Sequence, residues 1–359
     1  MMLEGRVIYC VVTGANRTKN VGDFLSLLQD RNADKIILIP TINAVPFLRE
    51  ASIPNGVIVR SDTIITTERI PEEDIVVVAP CTFDTMNKLT NGIADNYAMS
   101  VVHAAIGKKK PIIVAFSMGA QYWNHPLTDG AVKTLQSFGI ETIWPEFVYT
   151  DDGTLEKITM SPWEKVTDSV CHKFQKTRYE SDQHDRDSRY DKATAKYADL
   201  FKQTGSTLLW QHFVNGPAGF IALKIPDGIL ITRTGAEVGK LNDEDLTLII
   251  GHEDKKISWM GYGAPSSETP MVLEIFERYP KARAIIHGHC REITYSKLAN
   301  KYKSEKYLSY GQFGEAAKLY PILDKHGIAI MRLHGEVAIG KDFNDALGKY
   351  FDIYHKLVS

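Results

Sequence analysis

Apolar residues follow two different rhythms along this chain. As far as Trp144-Pro145 they come in short unbroken runs, RVIYCVVTG, KIILIPT, GVIVRSD, DIVVVAP and KPIIVAFSM, with helical stretches such as FLSLLQ and NYAMSVVHAAIG between them. Strands that lack polar alternation are buried on both faces, so this pattern predicts a parallel sheet in a doubly wound α/β domain. Further on, GFIALKI, GILITRTG, LTLIIGHE and IAIMRLHGEVAIG surround one strong helix, SSETPMVLEIFERYP. Neighbouring strands with segregated helices predict an αβα arrangement on a mainly antiparallel sheet. The stretch RYESDQHDRDSRYDKATAKY has few apolar anchors and reads as a charged linker leading into a helix. The expected organisation is therefore a first domain over 1–160, a linker over 161–190 and a second domain over 191–359.

Composition narrows the partners. At 359 residues the chain exceeds what one core usually supports, in keeping with two domains. A formal charge of −2, with no basic block, predicts a small-molecule substrate and neither nucleic acid nor membrane as partner. No apolar run reaches the roughly 18 residues of a membrane span, and no charged-then-apolar leader precedes the first strand, so a cytoplasmic location is expected. Cys10, Cys81, Cys171 and Cys290 are too widely spaced for a disulfide framework or a CxxC zinc site and are read as thiols. His172 and His184 lie in the wider polar stretch from Trp163 to about Tyr197 and read as solvated.

The chemistry concentrates in AIIHGHC. Strand alternation sends His287 and His289 to the same face, with Gly288 between them placing no side chain on the opposite face. That is metal-ligand geometry. By itself it does not establish a metal site, because histidines also end strands as half-buried polar residues. Upstream, PSSETP puts Ser266 and Ser267 at a helix start, where they either help bind an anion or simply cap the helix, and Glu268 in the first turn.

Taken together, GILITRTG, PSSETPMVLEIFERYPKARAIIHGHC, YGQFGEAAKL and MRLHGEVAIGKDFNDAL resemble the class II aldolase and adducin family from about Tyr197 to the C terminus. The resemblance implies a lyase whose zinc, or similar divalent ion, is held by His287, His289 and His334, with Glu268 as catalytic acid/base. His326-Gly327 offers an alternative third ligand, but only His334 follows the family's Leu-Arg-x-His-Gly pattern. Zinc with one open position can polarise a hydroxy-carbonyl substrate toward an enediolate, which suits aldol cleavage, epimerisation, dehydration or decarboxylation alike. Of the family's phosphate pocket, Thr234, Gly235, Ser266 and Ser267 match, but Phe220 and Ala222 replace its Asn and Ser. Either the substrate lacks a phosphate or its anionic group meets Arg233. Tyr302, Tyr307 and Tyr310 are candidates for the tyrosine acid that such enzymes borrow from a neighbouring subunit. A non-catalytic binding protein on this fold, as in adducin, is the rival reading.

In the first half, APCTFDTMNKLTNGIADN and KKPIIVAFSMGAQYWNHPLTDGAVKTLQSFGI resemble the FMN-binding flavoprotein family that includes phosphopantothenoylcysteine decarboxylase. The resemblance implies an FMN site at Gly14 and Ala15 of the TGAN turn, with Thr82, Thr85 and Met118 near the flavin ring. The catalytic signatures depart from the family: Asp84 and Gly119 stand where it has asparagines, and ITTERIPEED holds no histidine. Three readings follow: a flavin domain with another role, a cofactorless oligomerisation platform, or an enzyme on an unfamiliar substrate. Both families imply a homo-oligomer, trimeric for one and tetrameric for the other, and one small closed particle does not readily satisfy both.

Overall fold

The unbroken apolar runs of the first half form six parallel strands, β1 (Val7–Val12), β2 (Lys35–Pro40), β3 (Ile58–Val59), β4 (Ile75–Cys81), β5 (Ile112–Phe116) and β6 (Glu141–Ile143), in the order β3-β2-β1-β4-β5-β6. Residues of β1 alternate between two cores: Ile8, Cys10 and Val12 pack with Phe24, Leu25 and Leu28, while Tyr9 and Val11 join Met99, Val102 and Leu135 on the other face. Burial on both faces explains why these strands carry no polar alternation. In this computed structural model, residues 2–64, 70–150 and 154–358 are described. Among them, no helix is long and apolar enough to cross a membrane.

The chain divides into two compact units, Met1–Gln175 and Lys176–Ser359. This boundary departs from the expected linker over 161–190. Residues Trp163–Phe174 form a helix whose Trp163, Val166, Val170 and Cys171 are buried in the first core, with Trp163 stacked on Phe24 at 5.1 Å between ring centroids. Glu164, His172 and Lys173 are exposed on the other side of this amphipathic helix, although Asp168 is buried, so overall polarity hid an apolar stripe at helical spacing. The first unit also holds an antiparallel hairpin, β7 (Glu146–Tyr149) and β8 (Leu155–Thr159).

In the second unit, β9 (Glu180–Gln183), β10 (Phe220–Ile225), β11 (Gly228–Thr232), β12 (Leu246–Glu253), β13 (Lys256–Gly261), β14 (Ala284–Gly288), β15 (Ile328–Met331) and β16 (Gly335–Gly340) build an eight-stranded sheet ordered β15-β16-β14-β10-β11-β12-β13-β9. Every pairing is antiparallel except β13 with β9. The apolar run IAIMRLHGEVAIG is divided by a tight turn at Arg332–His334, where Leu333 has a φ of 61°. Apolar clusters cover both faces: Ile221, Leu223 and Ile286 pack with the helices Ser188–Trp210 and Phe343–Val358, and Ile285 and Val337 pack with Thr269–Arg278.

Candidate functional site

Strand β14 lies centrally, paired with β10 on one side and β16 on the other, and brings His287 opposite Val337. Alternation puts Ile285 and His287 on the face of the helix Thr269–Arg278, while Gly288 faces the other layer. A Cβ on Gly288 would lie 2.6 Å from the Phe213 carbonyl oxygen and 3.0 Å from the Tyr350 hydroxyl, so only glycine permits that approach. Gly288→Ala is expected to cost about 1–3 kcal/mol of stability, since overpacked sites relax incompletely. Equal denaturant midpoints for variant and parent would show that the packing gives way.

The β15–β16 turn carries His334 to the same place. His287, His289 and His334 each offer a ring nitrogen, and these atoms all lie within 4.8 Å of one another. Ring centroids are 4.6 Å apart for His287 and His289, 5.2 Å for His287 and His334, and 5.1 Å for His289 and His334. Close approach of the strands depends on Gly335, where a Cβ would stand 2.2 Å from the Gly288 carbonyl oxygen. His326 is not part of this group and packs against Tyr302 at the end of the helix Tyr320–His326.

The tautomer of His287 follows from its partners. Its Nδ1–H donates to the Glu336 carbonyl oxygen at 2.7 Å, leaving Nε2 as the lone-pair nitrogen, and that buried atom has no hydrogen-bond partner. Burial pulls its pKa down to about 4, so the ring is neutral near pH 7. A neutral, oriented imidazole with its second nitrogen tied to a carbonyl is the donor a metal ion requires. The residues present therefore fit a divalent ion of the zinc type.

Glu336, which the sequence reading did not single out, sits behind this group. Its carboxylate accepts from the Cys290 amide at 3.1 Å and from the Thr294 hydroxyl, and its carbonyl also accepts from Tyr350 at 2.9 Å. It thus fixes the backbone just after His289 as well as the ring of His287. Complete burial pushes its carboxyl pKa up to about 8. The available signal was a lone carboxylate inside an otherwise apolar strand.

Glu268 stands at the N-cap position of the helix Thr269–Arg278 without a capping hydrogen bond from its side chain, and is buried, with Oε1 3.7 Å from His334 Nε2 and Oε2 accepting from the Gly311 amide at 3.4 Å. Ser266 Oγ accepts from the Glu268 amide at 3.3 Å, and Ser267 follows in the same turn. Thr234 meets that turn's approach strand, donating its amide to the Ala264 carbonyl at 2.8 Å, with Gly235 exposed beside it. Phe220 and Ala222 are fully buried core residues, Phe220 lying 5.2 Å from the His287 ring between centroids. Arg233, considered as an anion partner, is instead paired with the buried Asp245 at 2.7 Å. Tyr310 is buried beneath the Arg178 guanidinium, 3.9 Å from its ring centroid, and Tyr302 is buried against His326.

In the first unit, the strand order reverses between β1 and β4, and a cavity of about 980 Å³ opens beyond their C-terminal ends, where such sheets receive cofactors. Gly14, Ala15, Thr82, Thr85 and Met118 all line it. The TGAN turn is braced by Thr13 donating to the Pro80 carbonyl and Thr18 donating to the Thr13 carbonyl, both at 2.7 Å. A Cβ on Gly14 would lie 2.8 Å from Asn43, which explains the glycine. Thr82 caps the helix Phe83–Thr90 and is 3.1 Å from the Thr85 hydroxyl. The polar turn, paired hydroxyls and roomy cleft fit a flavin mononucleotide. Asp84 and Gly119 also line the cavity, and Asp84 pairs with Lys88 at 3.1 Å. Of the histidine-free stretch ITTERIPEED, residues 65–69 lie outside the described residues.

A doubly wound α/β domain and a triple-histidine αβα domain thus share one chain. Residues 1–175 match the Flavoprotein family model and residues 201–354 that of the Class II Aldolase and Adducin N-terminal domain, so the chain is similar to one family in each of its two halves. In its first half the chain is similar to phosphopantothenoylcysteine decarboxylase of Oryza sativa, 29% identical over 119 residues, covering 30% of this chain and 54% of that protein. The chain spans about half the length of these curated decarboxylases. A second relative is L-fuculose phosphate aldolase of Methanococcus vannielii, 28% identical over 148 residues, covering 37% of this chain and 78% of the other. Among solved structures, the FMN binding protein AtHal3 aligns with a TM-score of 0.41 and 21% identity, covering 46% of this chain and 94% of that one. Both halves resemble enzyme families.

Proposed function

We propose that the second half is a zinc-dependent lyase of the class II aldolase type, acting through an enediolate on a small hydroxy-carbonyl compound such as a sugar or sugar phosphate. The observation that carries this reading is the group of three histidines whose ring nitrogens lie within 4.8 Å of one another, with Glu268 at 3.7 Å from one of them. When bound, a divalent ion supplies Lewis-acid polarisation of carbonyl and hydroxyl oxygens. His287, His289 and His334 would hold it. Glu268 moves the proton next to the carbonyl, and its buried position limits competition from water. Thr234, Gly235, Ser266 and Ser267 receive the substrate's polar end at a helix start, where free amides favour anions. Metal analysis of the purified protein tests the reading: about one zinc per chain is expected, and protein that neither contains nor takes up a divalent ion would be a binding module instead.

For the first half we propose FMN binding, with the phosphate at Gly14 and Ala15 and the ring near Thr82, Thr85 and Met118. Gly14→Val should abolish the flavin absorbance of reconstituted protein, because its side chain would fill the turn and collide with Asn43. Flavin retained by that variant would put the cofactor elsewhere. With Asp84 and Gly119 in place of amide side chains, the holoprotein should not decarboxylate cysteine-type substrates. Carbon dioxide release from such a substrate tests that directly.

A further inference from the structure

The proposed substrate cradle lacks two of the polar side chains that the aldolase resemblance implies. Phe220 and Ala222 have taken the places of two polar donors and are fully buried. Arg233 is held by Asp245, both through its guanidinium at 2.7 Å and through its amide, which donates to the Asp245 carbonyl at 2.8 Å. The positive charge beside the Thr234-Gly235 turn comes from a different part of the chain. A Cβ on Gly235 would lie 3.4 Å from Lys176 Nζ.

Lys176 opens a short segment lying before residues 201–354, the stretch that matches the aldolase family. The segment is fastened to the site at two points. Tyr179 is buried and its hydroxyl donates to the Pro265 carbonyl at 2.5 Å, with the Ser266 carbonyl at 3.3 Å, so it is bound to the run that presents Ser266, Ser267 and Glu268. Arg178 stacks on Tyr310 and donates to the Tyr310 carbonyl at 3.4 Å, and the next amide, Gly311, is the one that donates to Glu268 Oε2. A stretch that reads as linker by composition therefore lines the catalytic face.

We infer that Lys176 is the anion-binding residue of this site, held beside Thr234 and Gly235 by Arg178 and Tyr179, and that the substrate carries a phosphate or carboxylate at the end remote from its reacting carbons. The inference rests on the lyase reading above. An ammonium on a flexible stem meets either anion as a point charge through charge-assisted hydrogen bonds. Arg178 and Tyr179 are positioning residues, since each acts through backbone groups of the site.

Binding of three probes to the zinc-loaded full chain, followed by calorimetry, tests this. Glycolate has one anionic group, whereas phosphoglycolate and malate add a remote phosphate or a remote carboxylate. Lys176→Met should weaken whichever two-headed probe binds best by about 10-fold, leave glycolate and zinc content unchanged, and be rescued to within about 3-fold by Lys176→Arg. Loss on phosphoglycolate alone identifies a phosphorylated substrate, and loss on malate alone a dicarboxylate-like one. Lys281→Met, at an exposed lysine, should match the parent. If Lys176→Met binds all three probes as the parent does, if glycolate loses as much as the others, or if the zinc-loaded parent shows no preference for a second anionic group, the assignment of Lys176 falls while the metal reading stands. Protein that takes up no zinc overturns both.

Discussion

Alanine at His287, His289 or His334 should each weaken zinc binding by at least about 100-fold, because removal of a ligand exceeds the 10–100-fold typical of losing a supporting hydrogen bond. Three imidazoles whose nitrogens lie within 4.8 Å of one another can share one ion, and no two of them offer the same site. His326→Ala is the control: its ring packs on Tyr302, so metal content should stay at the parent level. Dialysed proteins analysed for metal, with affinities from competition against a chelating dye, give the comparison. Zinc retained by all three site variants would mean that these histidines are ordinary polar residues at strand ends. Zinc lost from His326→Ala and kept by His334→Ala would transfer the third position to the other His-Gly pair.

The meeting of His287 with His289 was legible in the sequence. The His-Gly-His run compresses three requirements into adjacent positions: two same-face imidazoles and a glycine where Phe213 and Tyr350 press from behind. The parallel sheet was equally legible, since β1, β4 and β5, and β2 after Lys35, are unbroken apolar runs and burial on both faces produces that pattern. What escaped has a common physical cause. Trp163, Val166, Val170 and Cys171 form a buried stripe inside a stretch whose average composition is polar, so averaging erased the periodicity. Glu336 and Lys176 act through space on residues far away in sequence, and no local pattern encodes such contacts. Arg233 is the complementary case: its position in the TRTG motif is visible in the sequence, but its pairing with Asp245 is not.

Glu268→Gln should keep the fold and nearly all of the zinc while lowering turnover of the hydroxy-carbonyl substrate by at least about 100-fold, the scale of a lost general acid/base. The substitution preserves size, so the pocket wall beside His334 and the acceptor for the Gly311 amide can both persist; what disappears is the group able to take and return a proton. Buried charge also changes, because a neutral amide replaces a carboxylate 3.7 Å from His334 Nε2, and zinc analysis on the same samples shows whether that matters to the metal. Two readouts separate chemistry from binding. Exchange of the substrate's α-proton with solvent deuterium, followed by NMR, reports proton removal even where no bond is cleaved. Probe affinity reports the cradle, which the variant leaves in place. Slow exchange with unaltered zinc and unaltered phosphoglycolate binding is the expected combination; exchange at the parental rate would assign the proton transfer to another group and leave Glu268 as a buried acceptor for the Gly311 amide.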